Sequence, residues 1–121
     1  MRNLPEGIND GKILPFPHRV ANQIGFTRDE LQRILDLYGR MVAAGQWRDY
    51  AMDFTRDAAV FAAFVRTADR PQAQIEKRPA LRNRQGMWIV LGEHAQVLKR
   101  GHELAGVLAP LERRLLKTVE L

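Results

Sequence analysis

Between residues 26 and 121 the spacing of apolar side chains switches from the helical repeat to the strand repeat and back. That double switch constrains the fold more than any single motif does. The first segment carries signals for both its ends. Thr27 stands at an N-cap position with Glu30 three residues on, the spacing of a capping box, and Phe26 and Leu31 occupy the flanking positions of a hydrophobic staple. Leu31, Ile34, Leu35, Tyr38, Met41 and Val42 then form the predicted buried stripe. Asp29, Arg33, Asp36 and Arg40 take the solvated side, and Gly45 supplies a left-handed stop.

Past Gly45 the period falls to two. Tyr50, Met52 and Phe54 alternate with Ala51 and Asp53, which predicts a strand; Thr55, Arg56 and Asp57 make a turn, and residues 60–65 return as a second strand. Residues 58–64 also admit a helix, but the run is short and bounded by turn residues on both sides. A third strand is expected over residues 72–77, ending before Pro79. A basic loop over 78–86, an apolar strand over 87–91, a turn at 92–94 and a last strand over 95–99 complete the sheet. After Gly101 the helical stripe resumes through Leu104, Val107, Leu108, Leu111, Leu115 and Val119, with Pro110 expected to kink that helix. The predicted fold is α+β, an antiparallel sheet of about five strands flanked in sequence by an N-terminal and a C-terminal amphipathic helix packed on one face. Residues 1–25, broken by Pro5, Pro15, Pro17, Gly7, Gly11 and Gly25, read as a flexible arm, and residues 26–121 as a single domain.

Two helices cover only one face of a sheet, yet the second and fourth predicted strands are apolar on both. Phe61, Ala63 and Val65 oppose Val60, Ala62 and Phe64, and Met87, Ile89 and Leu91 oppose Trp88 and Val90. Something should cover part of the second face. The arm, through Ile13, Phe16, Val20 and Ile24, is the expected cover, and a second chain is the alternative.

Composition narrows the chemistry. The chain lacks cysteine and serine, which excludes thiolate and serine nucleophiles, disulfides and cysteine-ligated metals. Its formal charge of +5 is confined to one stretch: residues 1–65 and 101–121 are each neutral, and residues 66–100 carry eight bases against three acids. Such a concentrated field attracts nucleic acid, acidic proteins or anionic ligands; the plainer alternative is a solvated, aggregation-resistant edge. No apolar stretch is long enough to span a membrane, and the N-terminus lacks the layout of a secretion signal. A soluble cytoplasmic protein is expected.

The runs LDLYGRMVAAGQWRDYAMDF (35–54), RTADRPQAQIEKRPAL (66–81), RNRQG (82–86) and LKRGHEL (98–104) resemble a family of small uncharacterised alphaproteobacterial proteins, a domain of unknown function. The resemblance covers about residues 26–118, the first and last runs being the specific ones. It implies a cytoplasmic bacterial protein of the same helix–sheet–helix plan and carries over no catalytic residue, ligand or partner. Pro110 departs from the family's uninterrupted last helix.

No catalytic residue, metal site or cofactor motif emerges from the residues themselves. His18, His94 and His102 lack zinc-enzyme spacing, and Asp49, Asp53 and Asp57 read as a polar rim. Trp47 and Tyr50 are expected to anchor the first strand against the first helix. Lys77, Arg78, Arg82, Arg84, Lys99 and Arg100 are the candidate phosphate contacts. Gly101 and His102 open a helix N-terminus that could hold an anion. Trp47, Phe64 and Trp88 are the candidates for a partner interface.

The first expectation is therefore a non-enzymatic module binding a nucleic-acid backbone, similar in outline to double-stranded-RNA-binding domains. About five phosphate contacts would cost roughly two to three decades of affinity between 50 and 200 mM salt. The alternative is a protein–protein accessory or homodimeric module using the apolar sheet face.

Overall fold

A computed structural model describes residues 22–66 and 70–119. Its order is α1 (Arg28–Ala43), β1 (Asp49–Phe54), β2 (Ala59–Phe64), β3 (Ala73–Lys77), a 3-10 turn (Pro79–Leu81), β4 (Trp88–Leu91), β5 (Val97–Gly101), α2 (Leu104–Val107) and α3 (Ala109–Val119). The five strands form one antiparallel meander in sequence order, so the α+β plan expected from the sequence is the plan observed.

Both ends of α1 are built as the residues dictate. The Thr27 side chain accepts from Glu30 N–H at 3.2 Å, and Glu30 Oε1 accepts from Thr27 N–H at 2.8 Å, which satisfies two otherwise orphaned donors. At the far end Gly45, with φ of 77°, donates to Val42 O, and Gln46 donates to Met41 O. That pair of bonds is a Schellman stop, and it needs a residue that adopts the left-handed region without a Cβ penalty.

The buried stripe of α1 is rotated from the expected one. Leu37 is fully buried and Val42 is 40% exposed, because the face that meets the sheet runs through Leu31, Ile34, Leu37 and Met41. The C-terminal helix is likewise not one kinked rod but two, α2 and α3. Pro110 lies second in α3, in the first turn, where its missing N–H leaves no helical bond unmade. The last strand begins at Val97 and not Ala95: Gly92 N–H donates to Gln96 O, and Ala95 sits at φ 63°, so the turn runs further than expected.

All three helices lie on one side. Their buried residues form a single cluster with Ala59, Phe61 and Ala63 of β2, Ala73 and Ile75 of β3, and Trp88 and Val90 of β4. Trp47 is 1% exposed in this cluster, stacked near Tyr38, which also meets Tyr50 edge-on at 5.0 Å. The expected anchoring of β1 to α1 is thus observed. Burial raises the Tyr38 hydroxyl above its ordinary pKa of 10.0, with help from the Asp49 carboxylate and the Tyr50 ring.

The other side of the sheet carries the alternate residues. Strand pairing sets Asp53, Val60, Glu76, Ile89 and Arg100 in one row across all five strands, and Ala51, Ala62, Gln74, Leu91 and Val97 in the next. None of these ten belongs to the helix-side cluster. Ile13, Phe16 and Val20 lie outside the described residues. Ile24 does not cover this face: its N–H donates to Thr55 O, and its side chain packs on the helix-side cluster. The folded body therefore begins before residue 26.

Candidate nucleic-acid interface

The eight basic-segment candidates separate into three settings. Lys77 is buried, the only charged side chain so placed among the described residues. Strand alternation turns it toward the helices, where its Nζ donates to Gly25 O at 3.0 Å and to Glu30 Oε1 at 2.7 Å, and lies 5.9 Å from the centre of the Trp88 ring. Its charge ties β3 to the N-cap of α1. One carboxylate thus closes the capping box and neutralises a buried ammonium, leaving Lys77 nothing to offer a ligand.

Arg78 is half-buried on the opposite face. Its Nε donates to Glu76 Oε1 at 3.0 Å, so its charge is largely balanced from within. Arg82 and Arg84 are exposed in the loop that follows, and neither forms an ion pair with another described residue.

The loop is held by its backbone. Arg78 N–H donates to Met87 O across its base, and Arg84 and Gly86 both donate to Leu81 O. Gly86, at φ 97°, presses onto the end of β5: a Cβ there would lie 2.3 Å from the Gly101 carbonyl carbon and oxygen and 2.8 Å from His102 N. Only glycine allows that approach. This contact brings the arginine loop beside Arg100, Gly101 and His102, although more than a dozen residues separate them in sequence. The trace it leaves in the sequence is the pair of glycines closing RNRQG and KRG, and of these only Gly101 stands out as a site before the strands are paired.

Gly101 itself faces Val107, whose Cγ1 would lie 3.3 Å from an added Cβ, and the loop's close approach is permitted by Gly86 instead. The helix that follows is a single four-residue turn whose N-cap, Glu103, makes no side-chain capping bond. The expected anion site at a long helix N-terminus therefore has no helix to support it. His102 is exposed, and Lys99 and Arg100 lie on opposite sides of β5, an edge strand.

The three aromatic interface candidates divide in the same way. Trp47 and Trp88 are 1% and 2% exposed inside the helix-side core, whereas Phe64 lies half-buried on the other face. Elsewhere, two open clefts of about 350 and 340 Å³ carry mixed or basic linings: Arg48, Asp49, Val65 and Arg66 in one, Pro110, Arg113, Arg114 and Lys117 in the other. Among the described residues lining them, neither gathers the converging carboxylates that acid–base chemistry uses. Among the described residues no helix is long and apolar enough to cross a membrane.

Residues 24–108 match the sequence model of a family described as "Protein of unknown function (DUF2794)". No curated protein and no solved structure matches the chain.

Proposed function

The chain belongs to this family of unknown function, and from that premise we propose that it is a non-catalytic module whose arginine loop and β5 edge hold the backbone of a nucleic acid. The supporting observation is the packing of Gly86 on Gly101, which sets Arg82 and Arg84 beside the end of the strand that bears Lys99 and Arg100. Four cations on an exposed loop and an edge strand suit phosphates, which need charge and reach more than a shaped pocket. Between residues 78 and 103 the only acids are Glu93, in the turn at the other end of β4, and Glu103, so little opposes the field there.

With Lys77 and Arg78 engaged inside the fold, four contacts remain in place of about five. The expected salt response shrinks accordingly, to roughly two decades of affinity between 50 and 200 mM. Fluorescence anisotropy with duplex RNA, duplex DNA and single strands provides the test. Micromolar binding at low salt is expected, and Arg82→Ala with Arg84→Ala should lower the log–log salt slope by about two. Absence of binding to every strand at low salt ends this reading. An unchanged slope in the double variant removes the loop from it.

A further inference from the structure

The open face of the sheet has a charge gradient and a size gradient, and both run across the strands. On β1 it presents Asp49 and Asp53; on β5 it presents Arg100. Its second row passes from small to large: Ala51 and Ala62 on β1 and β2, then Leu91 and Val97 on β4 and β5. Val97 is 52% exposed, and Asp53 and Arg100 have no ion-pair partner among the described residues. Among the described residues Val97 is the one large apolar side chain of this face that is exposed, most of its neighbours being half-buried; apolar surface left open on a small domain marks an interface.

We propose that this face is covered by a second copy of the chain, related by a two-fold axis parallel to β3, so that β1 of each copy lies over β5 of the other. That operation is the one the gradients select. An axis along the strands reverses the strand order and keeps the height along them. Asp53 then meets Arg100 of the second copy, Ala51 meets Val97, and Ala62 meets Leu91: acid on base and small on large, twice over by symmetry. A two-fold axis across the strands would instead set β1 on β1 and β5 on β5, with acid facing acid. On β3 Glu76 meets its own copy, but each is already balanced by Arg78 at 3.0 Å, so two ion pairs lie side by side at the axis. Near-aligned strands are also how twisted sheets stack face to face.

The size of the face sets the strength. Five strands about 4.8 Å apart and about five residues tall give a patch near 24 by 17 Å. Two such patches total about 800 Å² in projection, short of the roughly 1,000 Å² at which specific interfaces begin. Ile89 is already only 4% exposed and adds little. The expected product is a reversible dimer that dissociates on dilution. The proposal does not rest on the nucleic-acid reading, but it takes Arg100 into the dimer contact and leaves Arg82, Arg84 and Lys99 for phosphates; both arginine loops would emerge at the same end of the pair.

Charge reversal tests it. Sedimentation equilibrium of the full chain, from micromolar to near-millimolar concentration, should show a monomer–dimer equilibrium. Asp53→Arg should give a monomer, since it sets arginine on arginine at both contacts, and Arg100→Asp should do so with acid on acid. The two variants mixed should form a heterodimer, and Asp53→Arg with Arg100→Asp in one chain should restore self-association. Circular dichroism confirms that each variant is folded. Recovery in the mixture cannot arise from damage to either chain. A wild-type chain that stays monomeric throughout, or a dimer indifferent to both reversals, overturns the proposal.

Discussion

Residues 76 to 78 place one ion pair on each face of the sheet, and the two pairs are built for different work. On the helix side Lys77 and Glu30 meet at 2.7 Å with side chains 11% and 18% exposed. On the open side Arg78 and Glu76 meet at 3.0 Å, the arginine 41% exposed. The first pair joins segments 47 residues apart and touches Gly25 and Trp88 as well. The second joins residues two apart, Glu76 in β3 and Arg78 just past its end. A pair that closes a long loop within the core contributes to the fold, whereas one that stays local at the surface contributes little beyond balancing a charge. The same contrast runs through β2, β3 and β4: strand residues facing the helices are buried, and their neighbours in sequence, Ile89 apart, are only half-buried.

The sharpest way to break that contrast uses two phenylalanines on β2. Phe61 is fully buried, stacked on Tyr50 at 5.0 Å and edge-on to Tyr38 at 6.0 Å. Phe64, three residues on, is half-buried on the open face. In urea titrations at low protein concentration Phe61→Ala should cost about 3–5 kcal/mol. Phe64→Ala should cost about 1 kcal/mol or less, given its half-exposed ring. Equal losses would mean that the open face stabilises the monomer as much as the helix face does.

Much of this architecture is legible in the sequence, for identifiable reasons. The capping box, the Schellman glycine and the period of β1 depend on residues a few positions apart, so the sequence displays them. The apolar character of both sides of β2 and β4 is equally local, and it points to a second face that needs a cover. Lys77 is different, because its partner is 47 residues away. A lysine in a basic run looks like its neighbours until strand alternation shows that it points inward. The loop's seat on β5 is hidden for the same reason, since Gly86 and Gly101 meet only once β4 and β5 pair. The rotation of α1 toward Leu37 reflects the position of the sheet, and no stripe drawn on the helix alone contains that information.

The two ion pairs give the next test, smaller in effect. Glu30→Ala removes the capping side chain, worth about 1 kcal/mol, and strands a buried ammonium. A total of about 2–3 kcal/mol is expected, with the lysine part discounted because both groups keep some contact with water. Arg78→Ala should cost less than about 1 kcal/mol. Thermal melts of the two variants side by side would decide it. If Arg78→Ala proves the costlier, the open-face pair holds more of the fold than its locality suggests.

The smallest effect is a pH dependence that belongs to the helix side. The chain has two tyrosines, Tyr38 on α1 and Tyr50 on β1, and the pairing of Tyr50 with Ala63 places it on that same side. Burial, then the Asp49 carboxylate and Tyr50, raise Tyr38 above its ordinary 10.0. A raised folded-state value means that the folded protein keeps the phenolic proton after the unfolded chain has released it. The associated stability is fully present below about pH 10 and drains away as pH rises through the folded value. Melting temperatures should therefore fall more steeply above pH 10 in the wild type than in Tyr38→Phe, which has no proton to lose. Ultraviolet titration of Tyr50→Phe would follow the Tyr38 ring alone. A Tyr38 that ionises at its ordinary value would show that α1 opens toward solvent more readily than its packing against β1 implies, and would narrow the difference between the two faces.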